Sequence, residues 1–351
     1  MINPEILLKW YDANARAMPW RIPPTQSAKG IRPDPYHIWL SEIMLQQTTV
    51  AAVVRYFLAF QRRWPTVHAL ANADDADVMG EWAGLGYYAR ARNLLKTARV
   101  ISADLGGSFP ETEAELIRLP GIGPYTSAAI AAIAFDQPAT VVDANVERVI
   151  ARAFAISEPL PDSKPALKTL ASNLTPSSRP GDFAQAMMDL GATICGQLPQ
   201  CEECPISEQC LGRQRGIAAT LPKKRPKPIK PVRYGVAYFA RRDDGAVLLE
   251  TRPQSGLLGG MLALPTTEWT ETAVDEAPPV EADWATLPEP VKHTFTHFHL
   301  LLTLRVANPP TGHPPDRGGF MNVDETTPDT LPTVMRKAFV AASTALDANG
   351  A

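Results

Sequence analysis

The chain has 351 residues, 45% of them apolar, a net charge of −3 and four cysteines. That length allows two domains of ordinary size with packed cores. No apolar run is long enough to span a bilayer, the charges mixed into Met1 to Trp20 exclude a signal peptide, and the mild acidity confines any polyanion contact to a local basic face; the protein is therefore read as soluble, cytoplasmic and free of membranes.

Residues 1 to about 215 read as helical, with apolar residues at three- and four-residue spacing, as in Val50, Val53, Val54, Phe57 and Phe60. Ahead of that run lies Trp39-Leu-Ser-Glu-Ile-Met-Leu-Gln-Gln-Thr48, in which Glu42 sits among apolar neighbours. A carboxylate in such a place usually faces solvent. If it is buried instead, desolvation raises its pKa and keeps it protonated near neutrality. Further on, Leu119-Pro-Gly-Ile-Gly-Pro-Tyr-Thr126 precedes the apolar run Ala128 to Ala134. Gly121 and Gly123 let the backbone turn tightly at a helix start, where free amides bind a phosphate. This is the helix-hairpin-helix pattern of DNA binding that ignores sequence. In Val141-Val-Asp-Ala-Asn-Val-Glu-Arg-Val149, Asp143 opens a helical pattern and suits an N-cap. A protonated acid and a separate ionised carboxylate are what cleavage of a glycosidic bond requires. Leu170 and Leu174 continue the helical spacing, as do Phe183, Met187 and Leu190 after the turn at 176–180.

All four cysteines then fall within sixteen residues, Cys195, Cys201, Cys204 and Cys210. One loop thus supplies four thiolates to one point, which suits a [4Fe–4S] cluster or a tetrahedral zinc. Zinc sites usually pair two Cys-x-x-Cys knuckles across a longer gap; here there is one knuckle flanked by single cysteines, which favours the cluster. Disulfides belong to oxidising compartments and fit least. Leu221 to Pro231 is dense in proline and positive charge and reads as a linker. Beyond it, Tyr234–Ala240 and Ala246–Thr251 read as strands joined in a hairpin by Arg-Asp-Asp-Gly. Phe295–Val306 reads as a further strand, and the acidic stretch 266–290 as a long loop. The domains expected are thus 1–215, a linker over 216–232, and a small α+β domain over 233–351.

Together these stretches resemble the helix-hairpin-helix DNA glycosylases, and closely the MutY-type adenine DNA glycosylases. The matching segments are Met18–Arg21, Trp39–Thr48, Gly84–Asn93, Leu119–Thr126, Val142–Val149 and Ala186–Gly191, with Arg252–Met261 and His293–Leu300 resembling a Nudix-like C-terminal domain. A hydrolytic Nudix enzyme would need a Glu-rich metal-binding helix, and no such string follows Gly260, so this domain resembles a recognition module. The resemblance implies a mainly α, two-lobed glycosylase fold with an iron–sulfur loop, followed by the Nudix-like domain. It implies a monomer that excises adenine opposite 8-oxoguanine or guanine in double-stranded DNA.

By the same resemblance Glu42 is the general acid, Asp143 stabilises the sugar cation, and Asn145 bonds near the same site. Tyr125 stands where strand-cutting relatives carry a lysine, which implies a glycosylase without lyase chemistry. Gln47, Leu85 and Tyr87 resemble a wedge in the base stack. Arg16, Trp20, Tyr125 and Asp189 resemble adenine-pocket or supporting residues, with plain helix packing the alternative for Arg16 and Trp20. Arg21, Thr48, Gly121 and Gly123 are counted with the DNA-binding residues. Arg90, Arg92 and Lys96 are candidate phosphate contacts or a solvated helix face. Phe295, Thr296 and His297 resemble the lesion-reading loop. Two departures stand out: five residues rather than six separate Cys195 from Cys201, and Thr296 replaces the family's usual serine. An endonuclease III-like bifunctional lyase and a non-catalytic iron–sulfur DNA-binding protein are the alternative readings.

Overall fold

A computed structural model of the chain describes residues 2–349 apart from 227, 254–255, 273 and 323–327. Gln254 and Ser255 of the Arg252–Met261 stretch therefore lie outside the described residues. The chain divides into two compact units, Met1–Pro226 and Lys227–Ala351.

The first unit is helical: α1 Pro4–Asn14, α2 Pro24–Ser27, α3 Pro35–Leu45, α4 Val50–Arg63, α5 Val67–Ala71, α6 Asp75–Glu81, α7 Ala89–Asp104, α8 Glu113–Leu116, α9 Pro124–Phe135, α10 Ala144–Ala153, α11 Lys164–Leu174, α12 Pro180–Thr193 and α13 Leu211–Gln214. Local chemistry explains many of the starts. Asn3, Asp34, Thr49 and Asp143 each accept a backbone N–H at the start of α1, α3, α4 and α10, and proline opens α1, α3 and α9. The apolar stripe of α4 buries Val53, Phe57 and Phe60 completely. Burying side chains of this size contributes about 1.5–3 kcal/mol each. Helix α9 is buried at every position from Thr126 to Ala134 and packs against α3 and α12. Helix α12 also packs on α10, so closely that a Cβ at Gly191 would meet Asn145 Cβ at 2.6 Å. Thus α3, α9, α10 and α12, which carry Glu42, Tyr125, Asn145 and Asp189, share one core.

Residues 218–225, assigned to the linker by composition, pack onto this unit. Ala218 and Leu221 are buried, and Leu160 N–H donates to the Lys223 carbonyl at 2.8 Å. Buried apolar residues at 218 and 221 outweigh the nearby prolines, so the exposed connection is shorter than expected.

The second unit holds β1 Val232–Ala240, β2 Val247–Thr251, β3 Leu262–Ala263, β4 Ala285–Thr286, β5 Val291–Thr294, β6 His299–Ala307, β7 Gly319–Met321 and α14 Thr333–Asn349. Strand β6 is central: parallel to β1 from Val232↔His299 to Ala240↔Ala307, and antiparallel to β4 and β5. A second sheet runs β3-β2-β7. Two expectations are corrected here. The hairpin between β1 and β2 closes only at its tip: Arg242 N–H donates to the Ala246 carbonyl at 3.0 Å and Arg241 bridges antiparallel to Val247, yet the body of β1 pairs with β6. Nor does Phe295 begin a strand; residues 295–298 form the turn between β5 and β6, closed by Phe295 N–H to the Phe298 carbonyl at 2.9 Å. Alternation of apolar residues continues through that turn in sequence, which hides it. Helix α14 covers β1, β5 and β6. Among the described residues no helix lies between β3 and β4, and no helix is long and apolar enough to cross a membrane.

Candidate active site

Glu42 sits on α3 in an apolar surround, 6% exposed. Burial pushes its carboxyl up to about 7; the nearby Asp143 carboxylate adds to the rise, while the Tyr125 hydroxyl and the Arg21 guanidinium oppose it. The carboxyl is therefore half-protonated near neutral pH. Asp143 differs in its partners. Its Oδ1 accepts Val146 N–H at 2.8 Å and its Oδ2 accepts Asn145 Nδ2 at 2.8 Å. Burial raises its pKa too, but these donors favour its ionised form. The two carboxyls thus interact while sitting in different environments. Burial dominates at Glu42, whose hydrogen-bond partner is the Tyr125 hydroxyl, whereas backbone and amide donors hold Asp143, the division that glycosidic cleavage uses.

Tyr125 lies at the start of α9, its hydroxyl acting on Glu42 and directed at Met188 Sδ, 3.6 Å away. Asp189 is completely buried. It accepts from Arg16 Nε at 2.7 Å, Arg16 N–H at 3.0 Å and Arg21 Nη1 at 2.8–2.9 Å. Burial works against the Arg21 charge, yet Asp189 more than offsets it and raises its pKa. This buried cluster ties the 16–21 segment to α12.

On the hairpin, Gly121 adopts φ +72°, and a Cβ there would lie 2.6 Å from Asn93 Cβ. Gly123 caps α9 without a side-chain bond. The Gly121 and Gly123 amides donate to no acceptor among the described residues. A helix start with free amides is an anion site. Gln47 and Tyr87 both have positive φ, 63° and 50°, and both are exposed, whereas Leu85 is buried. Thr48 is half-buried beside Gln47.

The chain matches the HhH-GPD superfamily of base excision DNA repair proteins over residues 40–176 and the NUDIX domain over 236–341. The human adenine DNA glycosylase is 35% identical across 95% of this chain and 72% of its own length. The mouse adenine DNA glycosylase is likewise 35% identical, across 95% and 76%. The chain belongs to the adenine DNA glycosylase family. Among solved structures, a thermostable thymine-DNA glycosylase superposes with a TM-score of 0.53 at 32% identity, over 60% of this chain and 95% of that one. As an adenine DNA glycosylase of base excision repair, the enzyme must bind DNA and break a bond between adenine and its sugar.

The remaining candidate residues of this adenine DNA glycosylase have different surroundings. Arg90 is not free for a phosphate. Its guanidinium donates to the carbonyls of Ile43 at 2.9 Å, Met44 at 3.2 Å, Leu85 at 2.9 Å and Gly86 at 3.3 Å. It thereby fastens the end of α3 to the turn before α7. Arg92 is half-buried and Lys96 exposed, and neither has a polar partner among the described residues. Trp20 is 5% exposed and packs edge-on against Phe57, ring centroids 5.2 Å apart, so it serves the core. Thr296 and His297 are exposed on the β5–β6 turn, and Phe295 is half-buried beneath them.

The four cysteines are unpaired and line one small pocket, partly open to solvent, with Arg152, Ile194 and Ile206. Among the described residues no three His, Cys, Asp or Glu side chains converge closely enough to hold one metal ion. Burial pushes the Cys204 thiol up to about 11 and raises Cys201 as well. Sequence reading missed two arginines. Arg148 donates to Asn145 Oδ1 at 2.8 Å and to the Cys195 carbonyl at 2.7 Å. Arg152, 2% exposed, donates to Cys195 Sγ at 3.3 Å and to the Gly196 carbonyl at 2.6 Å. The signal was available: Asn145, Arg148 and Arg152 step along one helix face at three- and four-residue intervals.

Proposed function

We propose that this enzyme excises adenine paired with 8-oxoguanine or guanine, by hydrolysis and without cutting the strand. The observation that most supports this reading is Glu42, buried and raised to about 7, beside an Asp143 carboxylate held by donors. Adenine must leave the stack, because its glycosidic bond is unreachable within the duplex. Gln47, Leu85 and Tyr87 fill the space it leaves, and Arg16, Arg21, Trp20 and Asp189 shape and support the pocket. Glu42 gives its proton to adenine N7. The C1′–N9 bond breaks with its electron pair going to the base, leaving an oxocarbenium-like sugar that Asp143 stabilises. Water then adds to C1′ and returns a proton to Glu42. Asn145 orients Asp143. Tyr125 offers no amine for attack on the sugar, so no Schiff base forms.

The Gly121–Gly123 hairpin amides, Thr48, Arg92 and Lys96 contact the DNA backbone. Phe295, Thr296 and His297 read the oxidised guanine; the threonine hydroxyl keeps the hydrogen bond of the serine that it replaces. Cys195, Cys201, Cys204 and Cys210 hold a [4Fe–4S] cluster. The pocket that all four share and their spacing, one Cys-x-x-Cys knuckle flanked by single cysteines, support this reading over zinc. When bound, that cluster fixes the loop's shape. Iron and acid-labile sulfide, each about four per chain for a cluster of this type, test it; one zinc and no sulfide would give the site to zinc. The enzyme acts as a monomer in the cytoplasm.

The test of function uses duplexes with one adenine opposite 8-oxoguanine, guanine or thymine. The reading predicts strand breaks after alkali only, fastest opposite 8-oxoguanine and absent opposite thymine. Breaks without alkali would favour an endonuclease III-like lyase, and binding without base release a non-catalytic protein.

A further inference from the structure

Residues 266–270 run along the edge of β1 that β6 leaves free. Tyr234 and Thr270 exchange backbone hydrogen bonds at 2.7 and 3.0 Å. Val236 N–H donates to Thr267 Oγ1 at 3.0 Å, and Thr267 N–H to the Val236 carbonyl at 3.0 Å. This stitching lays the Trp269 ring against Gly235, where a Cβ would stand 2.5 Å from Trp269 Cδ1. A glycine inside a strand weakens it and marks a close approach; here the approaching group is the indole.

From that seat Trp269 reaches the β5–β6 turn. Its ring centroid lies 5.6 Å from Phe295 at an interplanar angle of 31° and 6.4 Å from Phe298. The Arg252 guanidinium stands 5.1 Å from the indole, and Arg233 stands 4.5 Å from Phe298. Phe295 also meets Phe298 at 4.9 Å and His293 at 4.5 Å. The turn is otherwise fastened at its base, by Thr294 Oγ1 to His299 Nδ1 at 2.9 Å, by Lys230 Nζ to the Phe295 carbonyl at 2.8 Å and by Phe295 N–H to the Phe298 carbonyl, and no polar contact holds the Thr296 or His297 side chain among the described residues. Trp269 Nε1 is buried without a hydrogen bond, so the residue acts through its ring faces alone.

We propose that Trp269 is a positioning residue for Phe295-Thr296-His297, and that through this turn it sets the preference for oxidised guanine opposite the excised adenine. The proposal rests on the lesion-reading role given above to the turn. With Phe295 held against the indole, Thr296 and His297 are presented at a fixed offset before DNA arrives. Without it, the turn must be ordered on binding, and that cost falls on the contact that distinguishes 8-oxoguanine.

The experiment measures the ratio of affinities for full-length protein between A:8-oxoguanine and A:G duplexes. One preparation reads both duplexes, so a loss of folded protein cancels. Trp269→Leu should lower the ratio by about three- to tenfold, the size an aromatic pair carries. Gly235→Val, which displaces the indole from the other side, should do the same, and Trp269→Phe should retain most of the preference. In a His297→Ala background, Trp269→Leu should have less than its full effect. An unchanged ratio in both Trp269→Leu and Gly235→Val, or a full effect that simply adds to that of His297→Ala, overturns the proposal, while a native preference that His297→Ala lowers upholds the role of the turn. Absence of any preference in the native chain would sink that role itself, and this inference with it.

Discussion

The burial of Glu42 ties its proposed role as the acid to the stability of the fold. Its pKa rises from 4.5 to about 7 on folding, chiefly through burial. Between those values the folded protein binds more protons than the unfolded chain, so stability falls as pH rises through that window. The full cost at pH 8 is roughly 3 kcal/mol. Glu42→Gln removes the titration while keeping the shape. It should melt close to the native protein near pH 4.5 and at a higher temperature at pH 8; equal melting temperatures at both would contradict the buried acid. Excision by the native enzyme should decline above pH 7, as the acid form is lost. Asp143 separates its two roles in a different way. Asn caps a helix about as well as Asp, so Asp143→Asn should keep the α10 cap and melt within about 1 kcal/mol of the native chain. Excision should nevertheless drop by about a hundredfold or more, because the charge facing the sugar cation is gone. A variant that stays active would remove Asp143 from the chemistry.

Elements built from local rules were legible in the sequence, and those built from distant partners were not. The N-cap role of Asp143 and the turn at Gly121 follow from residue type, and both stand in the structure. The hairpin expected at Arg242–Gly245 closes only at its tip, through Arg241↔Val247, because the body of β1 pairs with the distant β6. Arg90 looks like a surface cation in sequence, yet it is consumed by four carbonyls that only the fold brings together. A measurable contrast follows. Arg90→Ala strands carbonyls at the end of α3 and should cost about 2–3 kcal/mol by chemical denaturation. Arg92→Ala and Lys96→Ala should leave stability within about 0.5 kcal/mol. If they touch phosphates, each should flatten the salt dependence of DNA binding by about one unit of log–log slope. The reverse assignment of effects would overturn this division of labour on α7.

At the scale of the whole molecule, the chain has two units with separate cores, and the proposed roles fall between them. Glu42, Tyr125, Asp143 and Asp189 all lie in the first, and Phe295, Thr296 and His297 in the second. Net charge of −3 does not reveal this arrangement, because the proposed DNA contacts are local hairpin amides and a few cations rather than the overall balance. Residues 1–226 alone should therefore release adenine with much reduced discrimination between 8-oxoguanine and guanine. Full discrimination by that fragment would move lesion reading out of the second unit. The most direct test of the central claim identifies the released base from an A:8-oxoguanine duplex by chromatography, for the full-length protein and for Glu42→Gln. The account predicts free adenine from the native enzyme, an uncut strand, and no adenine from Glu42→Gln despite undiminished duplex binding. Adenine released by Glu42→Gln at an appreciable rate would contradict it.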